Sequence, residues 1–162
     1  MKGQVLIRPY EERDEASIVS LVQELQDHEA AIYDRMSPSQ EIGSWYVMRM
    51  LRDSRSSGGD VLVAEHGGNV VGYASLLVGQ SSDSAMDEVR YSYAYIGDLI
   101  VTRSARGTGI GKALLLECER LARAAGEQWL RVTVLSGNSL AREAYKRAGF
   151  ESLFIDMEKH LR

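Results

Sequence analysis

The residue pattern predicts an α/β (α+β) fold, and three stretches predict it. Residues 95–101, Y-I-G-D-L-I-V, form an apolar strand that runs through a turn with glycines at 107, 109 and 111 into a long amphipathic helix. Residues 61–65 and 70–78 are apolar runs separated by H-G-G-N, the pattern of a hairpin joining antiparallel strands. Ile18, Leu21, Val22 and Leu25 fall at helical spacing, as do Leu114, Leu115, Cys118, Leu121 and Ala122 later in the chain.

In chain order, residues 4–8 alternate around Val5 and Ile7 and stop at Pro9, which predicts a first strand. Glu11 to Asp14 put acidic side chains at the start of a helix, whose end frays into D-H-E-A-A-I-Y-D-R-M, residues 27–36. Ser37 and Pro38 have the form of a cap and a first helical position, opening a second helix with Ile42, Trp45, Tyr46, Met48, Met50 and Leu51. Two readings of these bulky side chains stay open, packing on the sheet or lining a cleft. Residues 52–60 are a polar connection to the hairpin, and residues 79–90 form a loop of low apolar content containing Asp83, Asp87 and Glu88. After the glycine turn and its helix, Gly126 supplies a stop, and residues 129–135 alternate into another strand. Ser136, Gly137 and Asn138 open a short helix that Gly149 closes, and residues 150–161 have the pattern of a last strand. No repeat or composition break divides the chain, so one domain over residues 1–162 is expected.

Composition narrows the function classes. The formal charge is −4 and no dense Lys/Arg block occurs, which argues against nucleic acid as a partner; the same mild acidity serves either to draw in a cationic amine or simply for solubility. The single cysteine, Cys118, excludes a disulfide framework or a cysteine-based metal site and fits a cytoplasmic protein. No run of eighteen apolar residues and no signal-like N-terminus is present, so no membrane association is expected.

The glycine turn carries the chemistry. A strand end, glycines that keep Cβ atoms out of the way, and a helix N-terminus together form an anion cradle, with Arg106 and Lys112 nearby. R-G-T-G-I-G-K lacks the spacing of a P-loop, and neither an early βαβ unit nor an acidic residue about twenty positions on supports a dinucleotide site. What fits is R-x-x-G-x-G, here Arg106, Gly109 and Gly111, with N-S-L-A-R-E-A-Y-K-R-A-G-F downstream at 138–150. In these two motifs the second half of the chain resembles the GNAT superfamily of N-acetyltransferases.

The resemblance implies a mixed, strongly twisted sheet of six or seven strands with helices on both faces, acetyl-CoA as co-substrate with no metal, a small-molecule amine as acceptor, and a homodimer. A protein or peptide amine, or a non-catalytic acyl-CoA-sensing role, are the alternatives. By resemblance, residues 106–112 (Arg106, Gly107, Thr108, Gly109, Ile110, Gly111 and Lys112) hold the coenzyme's diphosphate, and Leu99, Ile100, Val101 and Asn138 hold its pantetheine arm. Tyr145 would protonate the departing thiolate; its alternative is half-buried packing. His28, Tyr33, Asp34, Trp45, Asp87 and Glu88 would border the acceptor. Relatives often carry a glutamate on the central strand as base, and here that position is Gly97, followed by Asp98. Strand alternation is expected to put Asp98 on the face opposite to residue 97. Asp98 is the first candidate for polarising a water or holding the substrate ammonium, with Glu88 and His28 behind it and a bond to the adjacent loop as its other reading.

Overall fold

The structure, a computed structural model, describes residues 4–82 and 89–161. Its five strands lie in chain order: β1 (Leu6–Pro9), β2 (Asp60–His66), β3 (Asn69–Ser81), β4 (Ser92–Val101) and β5 (Leu130–Val132). The first four are antiparallel to their neighbours and β5 runs parallel to β4, so the sheet is mixed. Gly67 and Gly68, both at positive φ, make the two-residue turn between β2 and β3.

Four helices cover the sheet. The stripe Ile18, Leu21 and Val22 of α1 (Glu15–Ala30) and Val47, Met50 and Leu51 of α2 (Ser44–Ser56) bury one face, against Val61, Val63, Tyr73 and Ile100. On the other face Leu114, Leu115, Cys118 and Ala122 of α3 (Ile110–Ala124) pack on Leu62, Ala74, Leu76, Ala94 and Ile96. The last helix, α4 (Ser139–Arg147), adds Tyr145 to that second core from beyond β5. No helix among the described residues is long and apolar enough to cross a membrane.

Three expectations are corrected. Pro38 opens only a 3-10 turn, Ser39–Glu41; Ile42 is extended, and the helix proper starts after Gly43. The strand expected at 129–135 pairs only at Leu130–Val132, because β5 then leaves β4. The segment 151–161 joins no strand, although its apolar alternation suits one; among the described residues the sheet therefore has five strands rather than six or seven.

Candidate active site

The anion cradle is built as the motif requires. Gly109, at φ 88°, is the N-cap of α3, a backbone conformation that side-chain-bearing residues rarely adopt. The first backbone bond of the helix runs from Ala113 N to Gly109 O at 3.0 Å. Among the described residues the amides of 107–112 have no hydrogen-bond partner, so six consecutive N–H groups converge at the positive end of a helix. A Cβ on Gly111 would meet only Val101 Cγ2, at 3.7 Å. Nothing inside the protein demands glycine there, and its absence of a Cβ leaves the open side clear. Lys112 is exposed beside it.

Arg106 turns inward. Its Nε donates to Val101 O at 3.0 Å and its Nη2 lies 3.5 Å from Glu24 Oε1. Glu24, on α1, also accepts from Thr102 Oγ1 (2.9 Å) and Arg103 N (2.8 Å). The arginine thus braces the loop against the end of β4 instead of pointing its charge into the cradle. Glu24 was missed in the sequence, where it is one more charged residue flanking an apolar stripe.

β4 and β5 pair only at Ala94↔Leu130, Tyr95↔Arg131 and Ile96↔Val132. Beyond Ile96 the β5-facing edge of β4, through Leu99, Ile100 and Val101, has no strand beside it among the described residues, while its other edge stays bonded to β3. That leaves a slot with free main-chain groups leading from the cradle, although Val101 O is already taken by Arg106.

At the head of the slot a bulge overturns the expected alternation. In the β3–β4 register Leu76 faces Ile96 and Ala74 faces Leu99, so Ser75 alone opposes both Gly97 and Asp98. Ser75 Oγ accepts from Asp98 N at 2.8 Å, and a Cβ on residue 97 would come within 2.7 Å of the same oxygen. The extra residue returns Asp98 to the face that Gly97 occupies, the one covered by α1 and α2, where Ile100 also lies. Ile96 and Leu99, three apart, both belong to the opposite face. Asp98 therefore stands beside position 97 on the acceptor side.

There its carboxylate is clasped by two phenols. Tyr46 OH of α2 donates at 3.2 and 3.0 Å to Oδ1 and Oδ2, and Tyr73 OH donates to Oδ2 at 3.0 Å. Burial raises Asp98 above the ordinary carboxylate range, while the two phenols and the nearby Arg49 guanidinium pull it down. Glu29, at the end of α1, is also raised, first by burial and then by the charge of Asp98, with His28 opposing. Neither Tyr46 nor Glu29 was singled out from sequence; a tyrosine inside an apolar helical stripe carries no mark of its hydroxyl's destination.

Tyr145, on α4, packs against the second core with its ring edge-on to Phe150 at 5.5 Å. Its phenol has no hydrogen-bond partner among the described residues and is pushed up to about 12, by burial first and further by Cys118, Glu29, Tyr95 and Asp98. Asn138 caps α4, its Oδ1 accepting from Ala141 N at 3.2 Å. Of the other acceptor-side residues, Tyr33 is half-buried under the Arg35 guanidinium, 4.6 Å from its ring centroid, and Asp34 projects into solvent. His28 stays beside Glu29. Trp45 is 55% exposed, its Nε1 donating to Glu41 O, so Tyr46 rather than Trp45 is the aromatic side chain that α2 turns inward. Asp87 and Glu88 lie outside the described residues.

Comparison with known proteins agrees with this geometry. Residues 20–150 match the model of the acetyltransferase (GNAT) family. No curated protein matches by sequence. Among solved structures the fold is similar to that of a point mutant of the BH1408 protein from Bacillus halodurans, with a TM-score of 0.85 at 19% identity over 97% of this chain and 99% of that one. It is also similar to AAC(6')-Iy in complex with the bisubstrate analog CoA-S-monomethyl-acetylneamine (TM-score 0.71, 15% identity, 98% and 99% covered). A third is glucosamine-6-phosphate N-acetyltransferase from Arabidopsis thaliana (TM-score 0.67, 17% identity, 98% and 99% covered).

Proposed function

The chain belongs to the acetyltransferase (GNAT) family, and from that premise we propose an acetyl-CoA-dependent N-acetyltransferase that acetylates a primary amine of a small molecule, as a homodimer in the cytoplasm. The observation that carries the reading is the run of unpartnered amides at 107–112 opening onto the free edge of β4. The free amides at a helix N-terminus and the missing Cβ at Gly111 suit a diphosphate. Acetyl-CoA, when bound, supplies the acetyl group as a thioester, whose C–S bond breaks as a C–N bond to the amine forms.

The protein's own groups would do the rest. The slot-side amides of β4 can donate to a carbonyl oxygen that gathers negative charge, and such donors are commonly worth about 3 kcal/mol in a dry site. An alkylammonium near its ordinary pKa of about 10.4 gives up its proton at a cost of roughly 4–5 kcal/mol at neutral pH. Asp98, raised by burial and bonded to the Tyr46 hydroxyl, is the group to receive that proton. Tyr145 would return a proton to sulfur. With its phenol near 12, free transfer to a thiolate of pKa about 8.5 is uphill by roughly 5 kcal/mol, so donation must accompany C–S cleavage rather than follow it.

Support for a small-molecule acceptor comes from the acidic pair Asp98 and Glu29, buried near each other, and from neighbours whose names carry an acetylneamine analog and glucosamine-6-phosphate. The test is to incubate the protein with acetyl-CoA and panels of amines and peptides while following free thiol. Amine-dependent thiol release is the expected result. Release only with peptides would move the acceptor to proteins, and tight coenzyme binding without acceptor-dependent release would make the domain a sensor.

A further inference from the structure

On the acceptor side one guanidinium has no anion of its own. Arg49 is an exposed residue of α2, and among the described residues it donates no hydrogen bond and forms no ion pair. Asp53, four residues on, stands where a helical partner would be, but Arg52 has taken it, with Nε and Nη2 both 2.9 Å from Asp53 Oδ1. Arg49 leans instead toward the start of the helix and lies over two rings. Its Cζ is 5.7 Å from the ring centroid of Trp45 and 5.5 Å from that of Tyr46. Those rings meet edge to face, 5.7 Å apart at 80°. Stacking of this kind steadies a guanidinium and leaves its in-plane N–H donors open, the form in which arginine grips carboxylates and phosphates.

Tyr46 joins this cation to the acids. Its ring lies against Arg49, and its hydroxyl donates to Asp98 Oδ2 at 3.0 Å. The charges act on one another, since Arg49 pulls the Asp98 carboxyl down while Asp98 raises Glu29. The acceptor side therefore presents two carboxyl groups and, one phenol away, a guanidinium with free donors. Toward an amine whose charges are all positive, that guanidinium is repulsive; toward an amine that also carries an anion, it is a second handle.

We propose that Arg49 is the anion subsite of the acceptor site, so that the amine carries a carboxylate or phosphate a few atoms from its nitrogen, as an amino acid or an aminoalkyl phosphate does and a polyamine does not. The inference rests on the acetyltransferase reading and names the substrate class. A plainer role for Arg49, keeping Asp98 ionised, would act on every acceptor alike, and that difference makes the two separable.

The test pairs each anionic amine with the same amine after its negative charge is removed: glycine, β-alanine and γ-aminobutyrate with their amides, and phosphoethanolamine with ethanolamine. Equilibrium binding to the protein saturated with coenzyme A, and kcat/KM with acetyl-CoA, are measured for the unsubstituted chain, Arg49→Gln and Arg49→Lys. Arg49 is exposed, so both variants should keep the fold and the coenzyme affinity. An anionic amine should bind about tenfold tighter than its neutralised partner, and whether carboxylate or phosphate leads identifies the anion. That preference should vanish in Arg49→Gln and survive in part in Arg49→Lys, which keeps the charge but loses the planar fork. No preference for any anionic amine, or a preference that Arg49→Gln leaves intact, overturns the subsite. So does an equal loss for both members of each pair with the acidic limb moved to higher pH, the mark of an arginine that only keeps Asp98 ionised. Charge-selective binding without thiol release would remove the enzyme and leave the subsite; thiol release without charge selectivity would remove the subsite and leave the enzyme.

Discussion

At the scale of single residues, the chemistry turns on Asp98 and Tyr145, and the two make different predictions. For Asp98 the informative variant is Tyr46→Phe, because its sign is fixed. The Tyr46 hydroxyl bonds the charged form of Asp98, so its loss lets burial raise the carboxyl further. The acidic limb of the pH–rate profile, where activity rises as Asp98 ionises, should move to higher pH; a limb that stays put, or moves down, excludes Asp98 as the titrating group. Tyr145→Phe should slow turnover by about a hundredfold with coenzyme affinity intact, and unchanged turnover would remove the phenol as acid. Tyr145 was legible in the sequence because it sits in a recognisable string on a short helix. The partners of Asp98 were not, since Tyr46 comes from α2 and Tyr73 and Ser75 from β3, and they meet Asp98 only through tertiary packing.

At the scale of elements, the glycine turn and α3 follow directly from local pattern, and the β4 bulge does not. A bulge is a disagreement in count between two strands, and one strand's sequence shows period-two alternation whether or not its partner keeps step. Gly97 was visible as a missing base, but its structural reason is the Ser75 oxygen that its Cβ would strike. Gly97→Ala should therefore destabilise the protein by about 1–3 kcal/mol in chemical unfolding. Adding Ser75→Ala should recover part of that loss, a non-additive pair; strict additivity would mean that the strands give way elsewhere. The loop is likewise tied to α1 by Glu24. Glu24→Gln trades a charged acceptor of two hydrogen bonds for an amide, and coenzyme affinity should drop by roughly tenfold, the equivalent of about 1.4 kcal/mol. An unchanged dissociation constant would show that the loop holds its shape without the helix.

At the scale of the whole molecule, the layered arrangement was readable because α1, α2 and α3 carry apolar stripes and each long strand an apolar run, and these suffice to order two cores around one sheet. The strand count was not. Residues 151–161 have a strand's alternation, but a strand is defined by its neighbour, and here the neighbour is missing from the chain's own sheet. The end of β5 was misjudged for a related reason: T-V-L continues the alternation past Val132, while the pairing with β4 that would make it a strand stops there. The central claim is that the amides of 107–112 clasp the diphosphate of coenzyme A. It is tested most directly by following those six amides by nuclear magnetic resonance while adding coenzyme A, and separately pantetheine, which lacks the diphosphate. Coenzyme A should shift their resonances and protect them from exchange, and pantetheine should leave them in place; binding of coenzyme A that leaves residues 107–112 unmoved would contradict it.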